Sequence, residues 1–407
     1  MTDAPLLFDD FALDTGRREL RWAGERVALG PQVFDLLVFL VENRDRVVSK
    51  DDMFETVWKG RIVSESTLTS HIKAVRVALG DSGAAQRLVR TVARKGIRFV
   101  GEVRREAPAA VVAAPAPAPS APDVAMAPAP LEQRIAFCRA ADGVRLAYAT
   151  VGSGPPIVKT ANWLNHLEYD WESPIYRGLF RGLARDHTLI RYDARGNGLS
   201  DWDAERIDFD AFVSDLEAVI DAAGLARFPL FCMSQGCAVA IAYAARHPER
   251  VSHLILHGGF AVGPLRRSPE EAERTRAMMH LIRTGWGTDN PAFRQLFTSL
   301  FFPDGGKEVF DSFNELQRVC ISPDNAFRIR EAVGNIDVRS LLAKVTVPTL
   351  VTHSRGDAVV PYEQGRAMAS EIPGARFVTL QSKNHALLDT EPAHARLLNE
   401  IRSFLAT

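Results

Sequence analysis

A stretch of proline and alanine in the first third of the chain limits the folds that this sequence can adopt. Residues 107–130 of the 407-residue chain consist almost only of Ala, Pro, Val and Ser. Proline at this density is not compatible with helices or central strands, so the stretch predicts a semi-rigid, extended tether. A loop of this length inside one domain is uncommon. We therefore expect an N-terminal module at 1–105, a linker at 106–131 and a C-terminal domain at 132–407.

The overall composition is that of a globular protein. Hydrophobic residues make up 46% and charged residues 24%, with a formal net charge of −1. Four cysteines without a CxxC pair argue against a disulfide framework and against a structural zinc site. The chain has no run of about 18 apolar residues, and its N-terminus lacks the pattern of a signal peptide. We expect a cytoplasmic protein that binds no metal or cofactor and does not associate with a membrane.

The first part of the N-terminal module reads as strands followed by helices. Alternating residues over 6–29 predict short strands, and Gly30-Pro31 opens a helix with proline at its tolerated first position. Ser49 with Asp52 three residues on is a capping-box signature for a second helix.

A third helix and a hairpin carry the positive charge of this module. The helix is predicted over about 64–79, with its apolar residues on one face, and residues 87–103 predict a β-hairpin. Residues 62–105 contain nine Lys and Arg against three Asp and Glu, whereas residues 1–61 contain nine against twelve. A basic third helix and wing predict a winged helix-turn-helix that meets phosphates there. A protein-interaction module with a solvated basic face is the alternative.

This segment resembles the DNA-binding domain of response regulators of the OmpR/PhoB type. The matching residues are Val47-Val48-Ser49-Lys50, Trp58, Thr67-Leu68, His71-Ile72, Arg76, Ala78-Leu79-Gly80-Asp81, Thr91-Val92, Gly96 and Arg98-Phe99.

In that family the third helix enters the major groove and the wing touches the minor groove, so the resemblance implies binding to double-stranded DNA. It also implies a homodimer, because the related domains act as dimers on repeated half-sites. Carried over position by position, the candidate DNA contacts are Thr67, His71, Lys73, Arg76, Arg94 and Lys95, with Trp58 near the backbone. Ile97 stands where the family usually has a tyrosine that contacts phosphate.

From residue 134 the pattern alternates between strands and helices, which indicates a parallel sheet covered on both faces. Besides the strand that leads into Ser234, strands are predicted at 135–137, 144–148, 157–161, 188–192, 254–256, 348–352 and 376–380.

Residues 228–248 read as a strand, a tight turn and an alanine-rich helix, with Ser234 at the apex of the turn. A serine on such a turn becomes a nucleophile when a base and unpaired backbone N–H groups lie near it. Strand and helix approach closely there, which requires small residues two positions before and after the serine. Gly236 meets this requirement, and Cys232 stands where glycine is usual.

Two partners for Ser234 follow in the order that α/β-hydrolases use. Asp357 and His385 each come on a loop after a predicted strand, where catalysis in such sheets takes place. His385 would take the proton of Ser234, and Asp357 would hold the imidazole in the correct tautomer.

The chain resembles the α/β-hydrolase family over nearly all of residues 133–405, and Asp193-x-Arg195-Gly196-x-Gly198-x-Ser200 is a structural marker of that family. The resemblance implies an oxyanion hole made by the N–H groups of Gln235 and Trp163, although this chain has Asn162-Trp163 where His-Gly is usual. It also implies a helical cap at about 263–344. A serine nucleophile is typical of enzymes that act on esters, lactones, thioesters or C–C bonds.

Residues 165–172 are dense in polar and aromatic groups, and they either line the pocket or form a docking loop. His353, Cys232 and Cys237 are expected to be packing residues.

The sequence thus predicts a multi-domain chain in which a winged helix-turn-helix (α+β) is joined by a Pro/Ala linker to an α/β-hydrolase fold with a helical cap. The first hypothesis is a one-component transcription regulator whose hydrolase domain binds and hydrolyses a small-molecule effector. The second is a serine hydrolase with an accessory DNA-binding module. The third is a hydrolase-fold receptor without catalysis.

Overall fold

The structure, a computed structural model, describes residues 5–22, 24–27, 29–57, 65–81, 85–92, 95–105, 131–288 and 290–407. These residues form two compact units, one on each side of the Pro/Ala stretch. The predicted linker lies outside the described residues except for its last position.

The described residues of the N-terminal unit form four strands, three helices and a hairpin in the predicted order, and one further strand. In chain order these are β1 (Leu6–Phe8), β2 (Phe11–Asp14), β3 (Glu19–Trp22), β4 (Glu25–Val27), α1 (Pro31–Glu42), α2 (Lys50–Val57), α3 (Glu65–Ala78), β5 (Val89–Val92), β6 (Gly96–Phe99) and β7 (Arg104–Arg105). The last strand was not predicted. It pairs with β1, so that the chain returns to the first sheet after the hairpin.

The second helix begins with the reciprocal capping box that the sequence predicts. The Asp52 N–H donates to Ser49 Oγ at 3.1 Å, and the Ser49 N–H donates to Asp52 Oδ2 at 3.1 Å. These bonds satisfy donors that the first helical turn leaves unpaired. Arg46 also donates to Asp52 Oδ2 at 2.5 Å, and its hydrogen bond is the largest of the effects that lower the pKa of Asp52.

The hairpin of β5 and β6 is fixed to Val48, the residue that precedes the capping box of α2. The backbones of Val48 and Ile97 exchange hydrogen bonds of 2.8 and 2.9 Å. Gly96 has φ +136°, and a Cβ atom there would lie 1.9 Å from Val48 O. Only glycine allows this backbone to approach so closely. Ile97 is buried, and its side chain therefore joins the core of the unit.

The C-terminal unit consists of eight strands and twelve helices in the described residues. In chain order these are β8 (Arg134–Arg139), β9 (Arg145–Val151), β10 (Pro156–Lys159), α4 (Leu167–Glu172), α5 (Arg177–Ala184), β11 (Thr188–Tyr192), α6 (Phe209–Ala222), β12 (Phe228–Met233), α7 (Gly236–Arg246), β13 (Val251–His257), α8 (Pro264–Arg267), α9 (Pro269–Gly285), α10 (Ala292–Phe301), α11 (Lys307–Val319), α12 (Pro323–Gly334), α13 (Arg339–Leu342), β14 (Thr349–Ser354), α14 (Tyr362–Glu371), β15 (Arg376–Leu380) and α15 (Pro392–Leu405).

One sheet runs through this unit in the order β15-β14-β13-β12-β10-β11-β9-β8. The predicted parallel sheet is confirmed for the six strands from β10 to β15. The first two strands extend it in antiparallel orientation, because β9 pairs with both β8 and β11. The strands β12 and β13 are almost completely buried, as expected for a sheet with helices on both faces.

Six helices, α8 to α13, are inserted between β13 and β14, and we refer to residues 264–342 as the helical insertion. The two ends of the helical insertion meet each other. Val262 forms an isolated antiparallel bridge with Asp337, and the Gly263 N–H donates to Ile336 O at 2.7 Å. The insertion therefore leaves and rejoins the sheet at one place.

The predicted family marker is built around a buried arginine. Arg195 is fully buried and lies between two carboxylates, Asp215 on α6 and Asp142 in the turn between β8 and β9. Its Nε and Nη2 donate to Asp215 at 2.6–3.1 Å, and its Nη1 donates to Asp142 at 2.6 Å and to Arg206 O at 2.9 Å. Bidentate geometry of this kind offsets the cost of burying the charges.

We expect Asp215→Ala to lower the free energy of unfolding of the C-terminal unit by about 3–5 kcal/mol, since Arg195 would keep a buried charge without its main partner. Asp210→Ala on the same helix is the matched control, because Asp210 pairs with Arg246 on the surface. That change is expected to cost less than about 1 kcal/mol. Denaturation followed by tryptophan fluorescence measures both. Equal losses in the two variants would contradict the role assigned to Arg195.

Candidate active site and nucleic-acid interface

Ser234 occupies the turn between β12 and α7 in a strained conformation. Its φ is +53°, in the left-handed region that residues with side chains rarely adopt. Such strain costs about 1–3 kcal/mol and persists where the surrounding structure enforces it. Here the Ser234 N–H donates to His257 O at 3.0 Å, and the side chain stays partly exposed. The turn thus presents the hydroxyl at the carboxyl edge of the sheet, where the sequence predicts it.

The first turn of α7 touches the end of β10. A Cβ atom at Gly236 would lie 2.4 Å from Thr160 Oγ1 and 2.7 Å from Ala161 O. Cys232, which replaces the usual glycine, is fully buried within the sheet. Burial raises the pKa of its thiol to about 12, so that the thiol stays protonated and unreactive.

Asp357 and His385 lie on the loops after β14 and β15 and contact each other. His385 Nδ1 and Asp357 Oδ2 are 2.6 Å apart. The other carboxylate oxygen accepts the N–H groups of Val359 and Val360 at 2.8 and 3.0 Å. Burial acts to raise the pKa of Asp357, but the charge and hydrogen bond of His385 lead the effects that lower it overall. An ionised carboxylate at Nδ1 leaves Nε2 of His385 as the proton acceptor.

Gly258, which was not among the residues predicted from the sequence, lies against this pair. It follows β13, the strand between β12 and β14, and has φ +58°. A Cβ atom there would lie 3.4 Å from His385 Cε1 and 3.6 Å from Asp357 Oδ2. Ser234 Oγ makes no hydrogen bond within the described part of the chain, and such bonds often form only when substrate is bound.

Two backbone N–H groups near Ser234 are available as hydrogen-bond donors. In the regions that the structure describes, neither the Gln235 N–H nor the Trp163 N–H has an acceptor. Gln235 is the N-cap of α7, where the helix dipole favours negative charge. The Trp163 side chain is buried and packs edge-on against Trp286 of the helical insertion, with ring centroids 5.9 Å apart.

The loop that carries Trp163 has Asn162-Trp163 where His-Gly is usual, and side-chain hydrogen bonds hold it in place. Lys159 Nζ donates to Thr160 O at 2.9 Å and to Asn162 Oδ1. Asn162 Nδ2 donates to Leu164 O at 3.1 Å, and Asn165 Nδ2 donates to Asn162 O at 3.1 Å. Burial lowers the pKa of Lys159 to about 8, and the charge of Asp170 opposes this shift. Asn162 is thus part of a hydrogen-bond network that includes Lys159 and the backbone of the loop.

Residues 165–172 dock the helical insertion. The Tyr169 hydroxyl donates to Ser312 O on α11 at 2.8 Å, and Ser173 Oγ lies 3.2 Å from Ser312 Oγ. His166 caps α4 by accepting the Tyr169 N–H, while Asp170 is buried. Of the two interpretations of this segment, these contacts favour the docking loop.

His353 and Cys237 are packing residues, as predicted. His353 is fully buried, and its Nε2 lies 2.9 Å from Val360 O on the loop that carries Asp357. Cys237 is fully buried below Gly259, and burial raises the pKa of its thiol well above the usual value. Among the described residues, no group of three His, Cys, Asp or Glu side chains is placed to hold a metal ion.

In the N-terminal unit, the predicted DNA contacts are only partly within the described residues. Trp58 and Arg94 lie outside them, and Thr67 lies in α3 without a described side chain. Lys73 on α3 and Lys95 at the tip of the hairpin are exposed. His71 is half-buried on the same helix.

Arg76 is engaged by the hairpin. Its Nε and Nη2 donate to Val89 O at 3.1 and 3.0 Å, and its Nη2 donates to Thr91 Oγ1 at 2.8 Å. Asp81, at the end of the same helix, accepts the N–H groups of Leu88 and Val89 at 2.9 and 3.0 Å. Both side chains therefore connect α3 to the wing.

Arg90 and Arg98 form a basic pair that the sequence analysis did not propose as a contact. They are directly opposite each other in the β5–β6 register, and both are exposed. Like charges at such positions repel unless an anion lies between or near them. The alternation of residues in the predicted hairpin contained this signal, since both positions fall on one face.

We expect Lys73→Ala to change mainly the salt dependence of DNA binding and Arg76→Ala to change mainly the stability of the N-terminal unit. Lys73→Ala should leave stability within about 0.5 kcal/mol and reduce the slope of log K against log salt by about 1, because one phosphate contact is lost. Arg76→Ala should lower the stability of the N-terminal unit by about 1–3 kcal/mol, because three charge-assisted hydrogen bonds are removed.

Fluorescence anisotropy of the full chain on a random-sequence duplex, at several salt concentrations, measures the slope, and thermal denaturation measures the stability. If Lys73→Ala left the slope of log K against log salt unchanged, the assignment of α3 to the DNA interface would be wrong.

Both parts of the chain match known protein families. Residues 24–99 match the family "Transcriptional regulatory protein, C terminal". Residues 163–298 match "alpha/beta hydrolase fold" and residues 330–407 match "TAP-like protein".

Individual relatives match the C-terminal part of the chain. Pyrrolizixenacetamide deacetylase of Xenorhabdus hominickii is 28% identical over 264 residues, which cover 64% of this chain and 94% of that protein. Rhodomycin D methylesterase of a Streptomyces species is 27% identical over 232 residues, which cover 51% and 78%. The solved structure of an esterase from Exiguobacterium antarcticum superposes with a TM-score of 0.58 at 25% identity and covers 67% of this chain and 99% of that one.

Within the described residues, no helix combines the length and the apolar character needed to cross a membrane. The chain joins a DNA-binding domain of the OmpR/PhoB type to an α/β-hydrolase domain.

Proposed function

We propose that this protein is a one-component transcription regulator whose hydrolase domain binds and hydrolyses a small ester, lactone or related effector. The observation that carries the catalytic part is the 2.6 Å contact between His385 Nδ1 and Asp357 Oδ2 at the sheet edge where Ser234 sits in its strained turn. The DNA-binding domain in the same chain supports the regulatory part and a cytoplasmic location. A homodimer on repeated half-sites is in keeping with the resemblance of that domain.

The proposed reaction follows from the placement of these side chains. His385 Nε2 removes the proton of Ser234 Oγ as the oxygen attacks the carbonyl carbon of the ester. The negative charge that forms on the carbonyl oxygen is stabilised by the Gln235 and Trp163 N–H groups. The protonated His385 then gives its proton to the leaving alcohol. A water molecule, deprotonated by the same imidazole, hydrolyses the acyl-enzyme and restores the Ser234 hydroxyl.

We propose further that the helical insertion is the cap of this site, within the predicted bounds of about 263–344. Phe301 of α10 packs edge-on against the His385 ring, with centroids 5.2 Å apart, and its carbonyl accepts the His385 N–H at 2.8 Å. Phe302 and Phe313 are buried next to it. An apolar cover of this kind excludes water and strengthens the electrostatic interactions beneath it.

A hydrolase-fold receptor without turnover is the second candidate, because Ser234 Oγ and His385 are not hydrogen-bonded in the described structure. In that case effector binding alone would change DNA occupancy, and the serine would be dispensable for the response.

We expect Ser234→Ala and His385→Ala each to reduce hydrolysis of an activated short-chain ester by about 10⁴- to 10⁶-fold, because nucleophile and base act as a unit. His280→Ala, at an exposed histidine of the helical insertion, is the control and should keep full activity. Ester turnover and labelling by a serine-directed fluorophosphonate measure the effect. If the wild type shows neither turnover nor labelling, the receptor without catalysis replaces the first proposal.

We also expect Ser234→Ala to separate sensing from catalysis. The variant should still bind the effector and DNA but should not destroy the effector, so that a reporter responds at lower effector concentration and fails to reset. A ligand shifts an equilibrium only through its differential affinity for the two states, and hydrolysis limits only how long the ligand is present. Loss of all response would mean that the acyl-enzyme or the product is the signal. Wild-type dose and duration would exclude Ser234 chemistry from regulation.

A further inference from the structure

Arg330 on α12 is half-buried, and its guanidinium makes neither a hydrogen bond nor an ion pair with any residue that the structure describes. Its Nε is completely enclosed by protein. This is unusual, because guanidinium groups that leave bulk water are almost always paired with a carboxylate or with carbonyl groups. Arg195, by contrast, has donors directed at two carboxylates and a carbonyl.

Arg330 lies next to the proposed oxyanion hole. Its guanidinium carbon is 5.6 Å from the centre of the Trp163 ring. The preceding residue, Ile329, lines a cavity of about 20 Å³ together with Asn162 and Gln235. The side chain therefore lies where the helical insertion meets the loop that carries Trp163, one of the two proposed oxyanion donors.

The helix that carries Arg330 is anchored to the sheet domain. Asn325, in its first turn, donates through Nδ2 to Gly196 O at 3.3 Å and to Trp202 O at 2.9 Å. Arg328 Nη2 donates to Glu205 O at 2.7 Å. The position of Arg330 relative to the site is thus set by contacts other than its own.

The charges around Arg330 leave an excess of positive charge under the helical insertion. A second buried guanidinium, Arg267, has one acidic partner, Glu271, at 3.1 Å, and Asp357 is already paired with His385. Burial lowers the pKa of Arg330 to about 10, and the charge of Arg267 adds to this effect. At neutral pH Arg330 is still charged, and this cleft lacks a matching anion among the described residues.

We propose that Arg330 binds a carboxylate of the substrate, so that the effector is an ester, lactone or amide that also carries a free acid group. A planar guanidinium with a stacked aromatic ring matches a carboxylate in two parallel hydrogen bonds. A guanidinium also pairs with phosphate in this way, so inorganic phosphate is compared with the carboxylate in the test below. This inference rests on the proposed function, since the scissile carbonyl is placed at Ser234 and the acid group at Arg330.

The test compares two esters, one with a free carboxylate and one in which that carboxylate is methylated. Mono-para-nitrophenyl glutarate carries a free carboxylate, and its methyl ester is the neutral counterpart. We expect the wild-type full chain to hydrolyse the acid with a kcat/KM about 10- to 100-fold higher than the methyl ester, the factor of a charge-assisted hydrogen bond. Arg330→Gln should abolish this preference, because hydrolysis of the acid should fall about 10- to 100-fold further than hydrolysis of the methyl ester.

Two control variants test whether the preference for the acid depends on the guanidinium of Arg330. Arg276→Gln removes an exposed arginine from α9 and should retain the full preference. Arg330→Lys keeps the charge but not the planar fork and should retain part of it. Equal turnover of the two esters by the wild type would overturn the proposal. So would an Arg330→Gln or Arg330→Lys chain that loses activity on both esters by the same factor.

Binding without turnover distinguishes this inference from the proposed catalysis. Calorimetric titration of Ser234→Ala and of Ser234→Ala/Arg330→Gln with glutarate should give a dissociation constant about 10- to 100-fold weaker in the double variant. This result would support the subsite even if the wild type hydrolysed neither ester. Equal affinities would overturn it, and binding of inorganic phosphate but not of glutarate would show that the carboxylate assignment is wrong.

Discussion

The close contact between the first turn of α7 and the end of β10 determines the site. No side chain fits at position 236, because Thr160 and the Ala161 carbonyl occupy the space. This contact brings together Gln235 from one strand connection and Trp163 from another, and their N–H groups remain without acceptors in the described structure. The strained backbone of Ser234 follows from the same constraint, since the chain must turn from strand to helix without moving away from β10.

The electrostatics of the hydrolase domain are organised in layers around that contact. Below it, Lys159 uses a buried charge to hold Asn162, and Asp170 and Asp193 are buried nearby, with burial raising the pKa of each to about 6. Further from the site, Arg195 is fully paired with carboxylates. On the side of the helical insertion, Arg330 has no hydrogen-bond or ion-pair partner among the residues that the structure describes. Asp170, Asp193 and Arg191 each have one buried polar atom without a partner among the described residues, but each also makes other hydrogen bonds. Arg330 differs from them because its guanidinium makes no hydrogen bond or ion pair with a described residue, and this difference next to the site suggests a ligand.

Much of this architecture was predictable because its causes are local. Short segments of the sequence determine the proline-rich stretch, the capping box at Ser49 and the strand lengths. The order of Ser234, Asp357 and His385 can be read directly along the chain. The roles of Arg76 and Arg330 were not predictable, because each depends on what a helix meets in space. The sequence places Arg76 on the outer face of α3. Only the packed structure shows that its guanidinium donates hydrogen bonds to Val89 and Thr91 of the wing. Arg330 lies in a segment whose periodicity indicates only a helix.

The bonds between α3 and the wing have a mechanical consequence. Arg76 and Asp81 connect the helix to β5, and the paired backbones of Val48 and Ile97 connect the wing to the beginning of α2. These bonds leave the two DNA-reading elements little freedom to change their mutual angle. A module built in this way presents its helix and its wing to DNA in one fixed arrangement. In the proposed regulator, control of transcription would then act on the number of such modules on the duplex and on the distance between them, rather than on the internal geometry of any one module.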